Sequence, residues 1–388
     1  MPRINEKTTA RVAPFAMDFV FSIYYLAAPL LLIDLGANPI QLGLVGTLAS
    51  SIHMGMAHLM GHISDRLGRR PLIIAAPLAF LASCLLMTQA SEISIILALS
   101  VLNGLGLSIY WPSLQAWIAD HPTGIGQSGL ARDIGTFNLS WTAATLAGPI
   151  FSGFLYTFYP RLPFLVGAAI ALMLFILVFT SVHESKPNPA EKALPMDTAT
   201  SKRHNGFLYA AWVANFSSWF IMANARYQFP KLARELTIPH HAIGLLLGFV
   251  GLALFTGFFL LRRTDRWIFS RGYLFGAQIL ALLGVSLLVV SKVPALFALG
   301  FVMIGLSCSV TYYSSLYYAV HLLKEKGRGT GLHESILGGG AVLGPILGGV
   351  AAQYAGLRAP YLLCLVILAA ALGAQIILVK RDKSATAE

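Results

Sequence analysis

Charge is what this sequence has least of. Asp, Glu, Lys and Arg make up 11% of its 388 residues, against about 25% in a soluble protein. With 56% of the residues hydrophobic, that shortage excludes a soluble domain and points to an integral membrane protein. Cysteine is scarce too. Cys84, Cys308 and Cys364 lie inside apolar runs without metal or redox spacing, so no disulfide is expected and they read as small core residues. The chain has no Gly-x-x-x-x-Gly-Lys-Ser/Thr phosphate cradle, no His-Glu-x-x-His and no Gly-x-Ser-x-Gly. We therefore expect no enzyme activity or catalytic residue, no cofactor and no metal, and any transport must run on ion or solute gradients.

What the chain has is long apolar runs. A bilayer core needs about 20 apolar residues per helix, and twelve stretches meet or nearly meet that length, near 12–34, 40–60, 71–89, 93–119, 129–157, 162–182, 206–230, 241–262, 272–291, 294–320, 328–355 and 359–379. The segment from Val12 to Leu35 follows basic Arg3, Lys7 and Arg11, but it is too long for a cleavable leader and reads as the first span. An even number of spans puts both termini on one side. That side collects 21 of the Lys and Arg residues, the other collects five, and Arg226 is left inside a span. The positive-inside rule then makes the termini cytoplasmic in a multi-pass cell (inner) membrane protein. The net charge of +11 is thereby assigned to orientation in the lipid bilayer, not to nucleic acid.

The longest polar stretch, 184–205, is rich in Pro, Lys, Ser and Thr and suits a flexible cytoplasmic linker between an N-terminal bundle, 1–183, and a C-terminal bundle, 206–388. Internal repetition supports that division. Asp65-Arg66 recurs as Asp265-Arg266, Pro29 as Pro230, Asp34 as Glu235, Gly43 as Gly244, and Gly148-Pro149 as Gly344-Pro345. The expected fold is all-α, with two pseudo-symmetric six-helix bundles.

Between the second and third spans lies Gly61-His62-Ile63-Ser64-Asp65-Arg66-Leu67-Gly68-Arg69-Arg70-Pro71. So much charge between apolar runs reads as a short loop at a bilayer face. The pattern Gly-x-x-x-Asp-Arg-x-Gly-Arg-Arg closely resembles the signature loop of the major facilitator superfamily. That resemblance implies twelve helices around a central site, alternating access, and a latch in which Asp65, Arg66, Arg69 and Arg70, with Gly61 and Gly68, pair with the other half. Asp265 and Arg266 are a degraded second copy, since Ile268, Phe269 and Ser270 replace Gly-Arg-Arg. Gly148-Pro149 and Gly344-Pro345 resemble the Gly-Pro motif of many exporters in that family and are expected to kink spans five and eleven or to let helices pack closely. Ser100 stands where proton-coupled exporters of the family commonly carry an arginine, so protons must be carried elsewhere.

Ionisable residues at membrane depth are functional candidates because each costs roughly 2.5–3.5 kcal/mol to insert. Asp18, six residues into the first span with Ser22 and Tyr25 on its face, is either a proton carrier or an acid paired near the mouth. His333-Glu334 breaks the repeat, replacing Phe137 and Asn138, and reads as a proton site or as a local pair with Arg328. Arg226 is either a snorkelling arginine near the outer face or, aligned with Tyr25, a fixed cation in the central cavity. Tyr110, Trp111, Tyr312 and Tyr313, deep in their spans with Gln115 nearby, are expected to line a polar cavity, joined by Asn138 and Tyr25 as substrate contacts. Arg132-Asp133 reads as a helix-end pair. The expected function is a monomeric secondary transporter of a small organic solute and protons, with an anion as one candidate solute. Export of amphipathic, drug-like compounds and a non-transporting receptor or scaffold on the same fold are the alternatives.

Overall fold

A computed structural model describes residues 6–120, 126–184, 205–323 and 326–384, which form twelve helices and no strand. In chain order they are α1 Glu6–Asp34, α2 Pro39–Leu67, α3 Arg69–Met87, α4 Ile93–Asp120, α5 Gly126–Phe158, α6 Leu162–Ser181, α7 Asn205–Glu235, α8 His240–Leu261, α9 Arg271–Val290, α10 Pro294–Leu322, α11 Lys326–Ala355 and α12 Ala359–Ser384. Most of the polar 184–205 stretch, and the side chains of Arg132, Asp133 and Arg328, lie outside the described residues.

Helix is the only open-chain structure that satisfies every backbone group in lipid, so apolar runs of this length are driven into it. Ten of the twelve helices are long and apolar enough to cross a membrane. α5 and α7 fall below that mark. In α7 the reason is visible, because it buries Asn215, Asn224 and Gln228 against other helices. Helix starts follow local chemistry. Asn38 caps α2 with Pro39 behind it, and the Asn38 and Gln41 side chains each accept from the other residue's backbone amide at 2.9 Å.

The helices overrun the expected spans, and one difference changes a functional reading. Gly61 to Leu67 are not a loop but the last two turns of α2, and Arg69 begins α3. The whole break is Gly68, at φ +100°, a backbone region that a side chain strains and glycine does not.

Packing shows the repeat directly. α1 packs on α5 and α6, α2 on α4, and α3 on α4 and α6; α7 packs on α11 and α12, α8 on α10, and α9 on α10 and α12. Each pairing of the first half thus returns six helices later. Between the halves the closest seams are α5 with α8 and α2 with α11, which the same shift exchanges, and α1 meets α7 at the pseudo-axis. Even single hydrogen bonds repeat. Arg70 donates to the Phe179 carbonyl at 3.2 Å and Arg271 to the Val379 carbonyl at 2.9 Å.

Candidate functional site

At the face opposite the chain termini the two halves are sealed. Asp34, at the end of α1, meets Arg234 of α7 at 3.2 Å and accepts from the Tyr156 hydroxyl of α5 at 2.6 Å. Lys231 donates to the Ala37 carbonyl at 2.8 Å, and Gln228 to the carbonyls of Pro39 and Pro345 at 3.1 and 3.3 Å. Glycine makes these seams possible. The Pro149 carbonyl rests on Gly244 and the Pro345 carbonyl on Gly43, so a Cβ at either glycine would collide with backbone. Gly148 and Gly344 in turn receive Ser22 of α1 and the Phe220 carbonyl of α7. α5 and α11 run as continuous helices through their prolines, so the Gly-Pro pairs act here as surfaces of close approach.

In the centre Asp18 is buried, and its Oδ2 accepts from Ser22 at 3.2 Å and from Thr145 of α5 at 2.8 Å. Because α1 begins at Glu6, Asp18 is twelve residues into the helix and sixteen from its end, about two turns past the basic Arg11. Arg226 reaches the same region from α7. Its guanidinium carbon lies 4.6 Å from the Tyr25 ring centroid and 5.7 Å from that of Trp219, within electrostatic reach of Asp18. Among the described residues no carboxylate forms an ion pair with it. A cavity of about 10 Å³, lined by Tyr25, Thr145, Met222, Arg226, Leu247 and Val250 among others, lies beside Arg226. That is about the room one water needs.

Beside Asp18 and Arg226 stands an aromatic wall. Trp141 of α5 packs on Phe258 of α8 and Tyr312 of α10, at centroid distances of 5.9 and 6.1 Å, and Trp219 approaches Tyr312 at 6.4 Å. Asn138 accepts from the Trp141 indole at 3.1 Å and so orients it. Tyr313 packs on Phe258 and Trp267.

Of the other sequence candidates, Tyr110 does not reach the centre. Tyr110 is fully buried inside the first bundle, its hydroxyl donating to the Ala13 carbonyl at 2.8 Å; its partner is backbone, not solute. Trp111 packs on Tyr110 and Phe137, and Gln115 is exposed one turn further along α4. His333 and Glu334 both lie within reach of Tyr312 but differ in exposure. His333 is buried, with Nδ1 2.8 Å from the Ser315 hydroxyl and its ring against Tyr312, while Glu334, a third of a turn on, is exposed. Ser100 donates to the Ile96 carbonyl within its own helix.

The charged motif binds within its own half. Arg69 is 7% exposed and is bonded to Asp65, to Ser64 at 3.2 Å and to Asp120 at 3.3 Å, while its amide donates to Glu184 at 2.7 Å. Arg66 is exposed. In the second copy Asp265 and Arg266 sit in turns after α8, where the Trp267 indole donates to the Leu261 carbonyl at 3.1 Å. Among the described residues no hydrogen bond or ion pair joins this motif to the other half.

Sequence reading missed Trp141, Thr145, Trp219 and Phe258. Trp219 was detectable, seven residues before Arg226 on one helical face. Contacts from α5 and α8 follow from assembly alone.

A family model described as Major Facilitator Superfamily matches residues 12–226 and again 211–388. The chain belongs to the major facilitator superfamily. Among curated superfamily relatives it is 25% identical over 307 residues to Multidrug resistance protein 1 of Bacillus subtilis, covering 75% of both chains. It is 30% identical over 127 residues to the uncharacterized MFS-type transporter YhjO of the same organism, spanning 33% of this chain and 31% of that one. Its fold matches a bacterial homolog of the human lysosomal transporter Spinster, crystallised inward-facing and occupied, with TM-score 0.75, 14% identity and coverage of 97% of this chain and 98% of that one. The nucleoside transporter NupG matches with TM-score 0.67 at 13% identity over 98% and 99% of the two chains.

Proposed function

We propose that this chain is a proton-linked secondary transporter of a small organic anion, working by alternating access between the 1–183 and 206–388 bundles joined by 184–205. Arg226 carries the reading. It is a fixed cation between the halves without a carboxylate ion pair, held against Tyr25 and Trp219, and such a group calls for an anionic solute. The bias of Lys and Arg makes the termini face cytoplasmic, so the seal at Asp34 and Arg234 is extracellular and the protein is inward-facing. It acts as a monomer in the cell membrane.

Asp18 supplies the coupling. In a medium of low dielectric constant, an ionised Asp18 and a solute anion compete for Arg226. A proton on Asp18 removes the competitor, so anion and proton bind together and cross together. A cationic solute would reverse the linkage and give exchange. The aromatic wall of Trp141, Trp219, Phe258 and Tyr312 favours a second reading, export of amphipathic compounds, and the multidrug resistance relative agrees with it.

Thermal unfolding with a panel of organic anions, neutral sugars and lipophilic cations separates the two. A ligand at a hundred times its dissociation constant stabilises by about 2.7 kcal/mol. Stabilisation by anions that is lost in Arg226→Ala is the expected result; stabilisation by lipophilic cations alone, equal in both proteins, overturns it in favour of the exporter.

A further inference from the structure

α2 and α11 meet in antiparallel register. Gly43 lies on the Pro345 carbonyl, Thr47 donates to the Val342 carbonyl at 2.8 Å, and Met54 covers Gly338. Past Met54, toward the termini face, His58, Leu59 and His62 of α2 are exposed, as are Leu332, Glu334 and Ser335 of α11. His58 and His62 are four residues apart and share a face. Their Nε2 atoms are 3.2 Å apart, with ring centroids at 4.6 Å and planes at 84°.

That spacing is a chelate bite. Zinc binds imidazole nitrogen at about 2.0–2.1 Å with tetrahedral angles, which sets two such nitrogens about 3.3 Å apart. The pair meets that geometry with both rings open to solvent. Among the described residues no third His, Cys, Asp or Glu joins it in this conformation. The register supplies one. His58 follows Met54 by four residues and Glu334 precedes Gly338 by four, so continuing the seam by one turn sets Glu334 opposite His58.

We propose that His58 and His62 form a site for a divalent transition metal of the zinc or nickel class, which Glu334 completes when α2 and α11 close at the termini face. Imidazole suits these ions, and a carboxylate is a normal third ligand for zinc. A ligand that gains a contact in only one conformation shifts the equilibrium toward it. The bound metal therefore favours the outward-facing state whatever the solute, and it gives Glu334, which pairs with no proton carrier here, a place in the cycle.

The test uses the full untagged chain in detergent with ZnCl2. Calorimetric titration at neutral pH should show one zinc per chain, with affinity at least tenfold weaker in His58→Ala and in His62→Ala. Both positions are exposed, so metal-free thermal unfolding of the variants should match wild type. Equal zinc binding in wild type and the double variant overturns the site and leaves the two rings as a hydrogen-bonded pair. Spin labels at Leu67→Cys and Tyr273→Cys report the closure, because the three native cysteines are buried. Zinc should shorten their separation in the parent and not in Glu334→Gln. Binding without shortening, or shortening that survives Glu334→Gln, overturns the part assigned to Glu334.

Discussion

The Asp34 carboxylate and the Arg234 guanidinium meet at 3.2 Å, joining the far ends of α1 and α7 across the two halves of the molecule. An ion pair this exposed is worth at most about 1 kcal/mol, and the bond Asp34 accepts from Tyr156 lies within its own half and only orients the carboxylate. Asp34→Ala should therefore move the population toward the outward-open state by up to about fivefold. Spin labels at the exposed Tyr159 and Tyr354 positions, replaced by cysteine, would show a longer distance component. An unchanged distribution would mean that the glycine seams alone hold the closure.

Those seams make a separate prediction. A Cβ on Gly43 or Gly244 runs into a proline carbonyl that belongs to an unyielding helix. Overpacking of this kind costs about 1–3 kcal/mol. Gly43→Val and Gly244→Val should each disfavour the inward-facing state without unfolding either bundle, and by pseudo-symmetry their effects should be alike. Gly55, where a Cβ would meet nothing, is the control position. Labelling of Ala37→Cys by a membrane-impermeant thiol reagent would report the opening.

Within the charged motif, position decides consequence. Arg69 is 7% exposed and bonded to Asp65, Asp120 and Ser64; a hydrogen bond to a charged group is worth about 1.5–3 kcal/mol. Arg69→Ala should lower thermal stability by several degrees or abolish expression. Asp65, 56% exposed at its side chain, is different. Asp65→Asn should leave stability near wild type and slow transport, and an unchanged transport rate would remove the motif from the conformational cycle.

The pH dependence of binding follows from Asp18 and Arg226. A proton on Asp18 frees Arg226 for an anion, so anion affinity should fall as pH rises through the titration of Asp18 and become independent of pH in Asp18→Asn. If affinity in wild type rises with pH instead, the solute is cationic and Asp18, not Arg226, is its contact.

Composition, run length and repetition were enough to determine a twelve-helix membrane protein in two related halves, because lipid admits only segments that satisfy their own backbone and because charge can leave the bilayer only at span ends. Asp65-Arg66 and the Gly-Pro pairs were likewise legible, since short spacings are preserved along a helix. Tertiary structure decided the rest. Tyr110 and Arg226 were both unexpected polar groups inside apolar runs, yet Tyr110 turns to a carbonyl in its own bundle and Arg226 faces α1 across the molecule. His333 and Glu334 are neighbours in sequence that a helix turns about 100° apart. Which face of a helix meets which neighbour depends on how two bundles lean on each other, and that is a property of backbone contacts such as Gly43 on Pro345, not of any local pattern.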